Sequence, residues 1–172
     1  IHNAEDMANA WDGMATWSGM REDTSFFVQP SAPDGVQVAF RATEDRLFGP
    51  LISFGLAGAP SELLDDRSYG IPPLTDVDAQ NMIRGIRSAP LLFGYRGTEE
   101  VDVNCLQDIV LKLAALKDAL PEVVSLDLEP VAVSAHGYVA LSARVKVVPN
   151  KEKRGDAYAR RLSEPPVLGD SE

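Results

Sequence analysis

Two short stretches of this 172-residue chain carry residue types at spacings that could do chemistry. In Leu126-Asp127-Leu128-Glu129-Pro130, one residue separates two carboxylates. If the segment is a strand, Asp127 and Glu129 project to the same face, about 7 Å apart by strand rise. Carboxylates so placed can hold a magnesium ion, which takes oxygen ligands and keeps several waters. The residues alone support a solvated strand face equally well. The second stretch runs from Asp45 to Gly58 and contains Gly49, Pro50, Gly55 and Gly58. Glycines at strand ends let the main chain approach a ligand, and main-chain N–H groups often grip phosphates this way. Ordinary hairpin geometry explains the same glycines and is the favoured reading on physics alone.

Other chemistries lack their residues. There is no glycine-rich phosphate loop with its lysine, no GxGxxG after a strand, and no Cys or His pair at metal-ligand spacing. His2 lies at a terminus and His136 in a turn, where a solvated side chain is the ordinary outcome. Cys105 falls early in an apolar helical pattern with no histidine near it in sequence, so an inert, buried thiol is expected.

The elements that must position these residues follow from periodicity and punctuation. Asn3 and Asp6 cap a helix over residues 4–20, with Met7, Trp11 and Met14 at helical spacing. Residues 26–29 form a short apolar strand, and 30–35 a proline-rich turn. Alternation then predicts a strand over 36–42, and the apolar stretches 51–54 and 62–64, punctuated by glycines and prolines, are two further expected strands. Thr75 and Asp78 cap a helix over about 76–88, with Val77, Met82, Ile83 and Ile86 on its buried side and Pro90 as its stop. Asp102 or Asn104 opens the strongest helix, 103–119. Strands at 123–128, 131–133 and 138–148 complete the domain, the last two joined at His136-Gly137. Helices and strands without regular βαβ alternation predict an α+β fold with a mixed, largely antiparallel sheet and packed helices.

Composition narrows the function. The 26 Asp and Glu outnumber 16 Lys and Arg, giving a formal net charge of −10. Binding to a phosphate backbone draws on clustered Lys and Arg, so no nucleic-acid partner is expected. No apolar run approaches the roughly 18 residues a membrane span needs. With one cysteine and no visible signal peptide, a cytoplasmic protein is the expectation. The stretch from Pro149 to Glu172 has five charges of each sign and little apolar periodicity, so it is expected to be a flexible tail after a domain spanning 1–148.

Taken in order, these segments resemble the ATP-grasp region of the NDP-forming acyl-CoA synthetases, the ADP-forming acetyl-CoA synthetase group related to the succinyl-CoA synthetase β chain. Ile1-His2-Asn3-Ala4-Glu5 resembles the start of a helix after the family's lysine-bearing strand. Phe27-Val28-Gln29-Pro30 resembles the strand and hinge that hold adenine, and Gly35-Val36-Gln37 stands where the family reads Gly-x-Glu. The run Asp45 to Gly58 resembles D-x-x-F-G-P-x-x-x-x-G-x-G-G. The Gly94-Tyr95-Arg96-Gly97 loop, the Asp127 strand and Ala140-Leu141-Ser142-Ala143-Arg144 complete the match. The resemblance implies ATP or ADP as ligand with magnesium. It implies nucleotide contacts from Val28, Gln29, Gln37, Gly49, Pro50, Gly55 and Gly58, and metal contacts from Glu129 and Asp127. The implied parent reaction interconverts acyl-CoA, ADP and phosphate with carboxylate, CoA and ATP, using CoA-binding and ligase domains as partners.

The departures are specific. Where the family has an Asn and an Asp as magnesium ligands, this chain has Glu129 and Ser142. Gln37 replaces a Glu, Ala57 a Gly, and Gly70 stands where an Arg is common. Phosphoryl transfer depends on positioning and charge neutralisation, so the isolated chain is expected to be inactive, with no catalytic residue assigned. The alternative is a regulatory or interaction module of a multidomain lysine acetyltransferase. A homodimer formed through apolar hinge surface is a further expectation.

Overall fold

The computed structural model describes residues 1–18, 27–29, 31–32, 34–45 and 47–149. It divides into two compact units, residues 1–31 and residues 32 onward. In the first unit, α1 spans Ala4–Ser18. Its start is capped as its sequence requires: Asp6 N–H donates to Asn3 Oδ1 at 2.8 Å, and His2 N–H donates to Asp6 Oδ2 at 2.8 Å. Phe27, Val28 and Gln29, expected as part of a strand, have no regular structure, and Phe27 is 92% exposed. A short apolar run does not define a strand without a partner to pair with. The expected tail lies outside the described residues apart from Pro149.

Among its described residues the second unit is built on six strands: β1 (Val36–Asp45), β2 (Gly49–Leu56), β3 (Arg67–Gly70), β4 (Val123–Ser134), β5 (Gly137–Ala140) and β6 (Ala143–Val147). All its pairings are antiparallel, in the order β3-β2-β1-β4-β5, and β6 also pairs with β4. The expected return strand 138–148 is therefore two strands that break at Leu141-Ser142. Across the break, Leu141 N–H donates to Pro130 O and Glu129 N–H to Ser142 O. Among the described residues, three α-helices accompany the sheet, α2 (Ala59–Leu64), α3 (Asp76–Gly85) and α4 (Val103–Ala119), with two short 3-10 turns at Ala89–Leu92 and Tyr95–Gly97.

One sheet face carries the core. The rings of Phe40 and Phe54 meet at a tilt, 5.1 Å between centroids, beside Val38, Ala42 and Ile52, all fully buried. Leu126, Val131 and Val133 extend this layer. Against it pack Ala79, Met82 and Ile83 of α3 and Leu106, Ile109, Val110 and Leu113 of α4. Thr75 closes a reciprocal capping box with Asp78 on α3, and Asp102 caps α4 through the N–H groups of Asn104 and Cys105.

Three local expectations change. Residues 62–64 are helical, in α2, with Leu63 87% exposed; Pro60 suits a first helical turn. Val77 is 57% exposed, because the buried stripe of α3 begins at Ala79. That helix also ends at Gly85, before Pro90, where Asp66 captures the N–H groups of Arg87 and Ser88. The polar strand β3 has no apolar alternation and is recognisable only by its ladder with β2.

Candidate functional site

Antiparallel register decides which side chains share a face. Tyr69, Ser53, Arg41, Asp127 and Arg144 are successive partners across β3, β2, β1, β4 and β6. This row points away from the Phe40–Phe54 core, since directly opposed residues share a face and neighbours along a strand alternate. By the same alternation Gln37, Thr43 and Asp45 of β1, Gly49 and Gly55 of β2, Arg67 of β3 and Lys146 of β6 lie on that polar face. Five of the residues expected at the site, Gln37, Gly49, Gly55, Asp127 and Glu129, are thus gathered on one surface. Pro50 is not among them, because it pairs with Glu44 in the core-facing register. Gly58, at φ 104°, lies just after β2, and Val28 and Gln29 belong to the first unit.

The carboxylate pair is held as no strand pattern could specify. Arg41 Nη2 donates to Glu129 Oε2 at 2.6 Å, and Arg41 Nε lies 3.7 Å from Asp127 Oδ1. Arg41 reaches Glu129 because β4 carries one extra residue there: Phe40 opposes Leu128 and Val38 opposes Val131. A bulge of this kind re-aims side chains, and here it turns Glu129 toward β1. Glu129 is mostly covered, with 15% of its side chain exposed.

Several glycines serve the fold. A Cβ on Gly55 would stand 2.8 Å from Asp66 O and 3.1 Å from Arg67 Cγ, so β2 and β3 need this glycine to approach. Gly49, at φ 76°, closes the β1–β2 hairpin. There Asp45 Oδ1 accepts from Leu47 N–H at 2.8 Å and Phe48 N–H at 3.0 Å, and these two donors, Phe48 first, hold its carboxyl below the usual range. Hairpin geometry accounts for the start of the D-x-x-F-G-P run. Gly70 faces the core, where a Cβ would meet Met82 Sδ at 2.5 Å and leave no room for an arginine. The arginine that this strand does offer the polar face is Arg67.

Sequence reasoning did not single out Arg41, Arg67 or Lys146, because basic residues within short strands read as solvated positions. Their common face becomes visible only through register. The described residues contain no cluster of three or more His, Cys, Asp or Glu able to hold a metal. The donor set does not fit a divalent ion as it stands, since an ion entering between Asp127 and Glu129 meets the Arg41 guanidinium. A separate concavity of about 670 Å³ at the end of α3, lined by Arg84, Arg87, Phe93 and Tyr95 among others, contains none of the expected site residues.

Residues 1–147 match the ATP-grasp domain family. The chain belongs to the ATP-grasp family. Within that family it is homologous to ADP-forming acetyl-CoA synthetases. It is 37% identical over 113 residues to the acetate–CoA ligase (ADP-forming) I subunit beta of Pyrococcus furiosus, covering 66% of this chain and 49% of that one. It is 34% identical over 152 residues to the corresponding II subunit beta, covering 84% of this chain and 64% of that one. The chain thus spans from about half to just under two-thirds of the length of these curated relatives. A solved ATP-grasp structure, dinucleotide forming acetyl-coenzyme A synthetase 1 of Ca. Korarchaeum cryptofilum with coenzyme A and Mg-AMPPCP, superposes with a TM-score of 0.66 at 33% identity, covering 68% of this chain and 55% of that one. These relatives give no support to the acetyltransferase alternative. No helix among the described residues is long and apolar enough to cross a membrane.

Proposed function

We propose that this ATP-grasp chain supplies part of the nucleotide-binding surface of an ADP-forming acyl-CoA synthetase, and that its polar sheet face receives the phosphates of ADP or ATP. The observation that carries this reading is the meeting of Gln37, Gly49 and Gly55 with Arg41, Arg67, Arg144 and Lys146 on one face of a chain whose net charge is −10. Guanidinium groups bind phosphate through paired, charge-assisted hydrogen bonds, so a face with several cations is where an acidic protein can accept an anion. The solved relative bound to Mg-AMPPCP supports the same ligand class.

The complete reaction, interconverting acyl-CoA, ADP and phosphate with carboxylate, CoA and ATP, belongs in this reading to an assembly with CoA-binding and ligase domains. Val28, Gln29 and Gly58 are assigned to the base and phosphate ends of the nucleotide by family resemblance. The role of this chain is binding and orientation, with the cytoplasm as its compartment. Isothermal titration with ADP tests the reading. Wild-type binding should weaken about tenfold in Arg67→Ala, the loss of one charge-assisted contact. Undiminished binding in that variant removes the polar face as the phosphate site.

A further inference from the structure

We propose that Arg41 stands in for a divalent cation on this face, so that nucleotide phosphates bind here without metal. The inference rests on the nucleotide reading above and adds to it the source of the positive charge. Its basis is geometric. A magnesium ion at Asp127 and Glu129 would need their oxygens free to point at it, at about 2.1 Å. Instead Glu129 Oε2 accepts from Arg41 Nη2 at 2.6 Å, and Asp127 Oδ1 faces Arg41 Nε at 3.7 Å. The pair already has a cation, and that cation is part of β1.

The charges along the row point the same way. Arg41 and Arg144 flank Asp127 in register, so two guanidinium groups offset the two carboxylates of Asp127 and Glu129 without an added ion. Arg67 and Lys146 lie in neighbouring rows of the same face and remain available to an incoming phosphate. A guanidinium cannot be deprotonated at working pH and is less strongly hydrated than magnesium, so the charge it provides is permanent and independent of metal supply. Glu129, mostly covered and turned inward by the β4 bulge, then acts as the anchor that orients Arg41.

Two measurements on the full chain decide this. The first is titration with ADP in EDTA and again in excess magnesium. Wild type should bind equally in both, whereas Arg41→Ala should lose about tenfold or more in EDTA and recover part of it in magnesium. Arg41→Lys, which keeps a cation, should stay near wild type in EDTA. The second is manganese titration without nucleotide, read by electron paramagnetic resonance. Wild type should leave manganese free, and Arg41→Ala should bind it once Asp127 and Glu129 are released. Circular dichroism establishes that both variants are folded, and if Arg41→Ala is not, Arg41→Lys and the wild-type arms carry the test. ADP binding by wild type only with magnesium overturns the inference and leaves the nucleotide reading intact. No ADP binding under either condition overturns the nucleotide reading and the metal-free binding that rests on it. Manganese bound by wild type at Asp127 and Glu129, and lost in Glu129→Gln, overturns the replacement of metal by Arg41.

Discussion

Lys117 Nζ lies 2.9 Å from Glu44 Oε2, joining α4 to β1 on the apolar side of the sheet, and donates to Val123 O at 2.6 Å. The lysine side chain is fully buried, while Glu44 keeps 25% of its side chain exposed. The asymmetry sets the outcome of mutation. Removing Glu44 strands a buried ammonium, whereas removing Lys117 leaves a carboxylate whose side chain keeps a quarter of its surface in solvent, although the oxygen facing Lys117 is itself buried. Glu44→Ala should therefore cost about 3 kcal/mol, and Lys117→Met clearly less. Urea denaturation at matched m-values checks the order, and a larger loss in Lys117→Met contradicts it.

Asp66 ties the start of β3 to the end of α3. It is 8% exposed and accepts from Arg87 N–H, Ser88 N–H and the Ser88 hydroxyl. Burial raises its pKa, but Ser88, Arg87 N–H and the Arg87 charge together outweigh that and hold the carboxyl below its ordinary value of 3.8. A depressed folded-state pKa gives stability that is present above the unfolded value and is lost as pH falls through the folded one. Asp66→Asn should lower stability at neutral pH by about 2 kcal/mol and flatten its decline below pH 3.8. Denaturation midpoints measured from neutral to acid pH test this, and an unchanged acid slope counts against it.

Cys105 should be a slow nucleophile. Burial, then Asp102 and Asp108, push its thiol up to about 11 from 9.0. The thiolate is the reactive form, so alkylation by iodoacetamide near pH 8 should run about a hundredfold slower than for a free cysteine. Unfolding in guanidinium should restore the ordinary rate. A fast reaction in the native state contradicts the burial argument.

Gly35 precedes β1 at a point where a Cβ would lie 2.3 Å from Val133 O, a backbone atom of the paired β4. Gly35→Ala must push two strands apart and should cost about 2–3 kcal/mol. Gly13, inside α1, has nothing within 4 Å of its added Cβ, so Gly13→Ala should instead favour the helix by about 1 kcal/mol. Thermal melts of the two variants should move in opposite directions.

The helices were largely legible because their signals are local. Asn3, Thr75 and Asp102 are side-chain caps that act within three residues, and the apolar spacing of Leu106, Ile109, Val110 and Leu113 marks the buried side of α4 without any distant contact. Strand β1 was legible from its alternation. Strand β3 was not, since Arg67-Ser68-Tyr69-Gly70 owes its extended form to pairing with β2. Leu63-Leu64 misled because two adjacent leucines fit a strand or a helix equally, and neither is buried.

By itself the sequence determined the α+β class, the start and cap of α3, the extent of α4, and the ordered motifs that mark an ATP-grasp chain. It also determined that Asp127 and Glu129 would share a face if their strand kept its alternation. What meets them there was decided by tertiary structure alone. Arg41 and Glu129 are 88 residues apart, and their contact depends on the β1–β4 register and on one extra residue in β4. Register is a long-range property, and a slip of one residue moves every side chain to the opposite face. Carboxylates that read as half of a metal site are, in the folded sheet, the partners of an arginine.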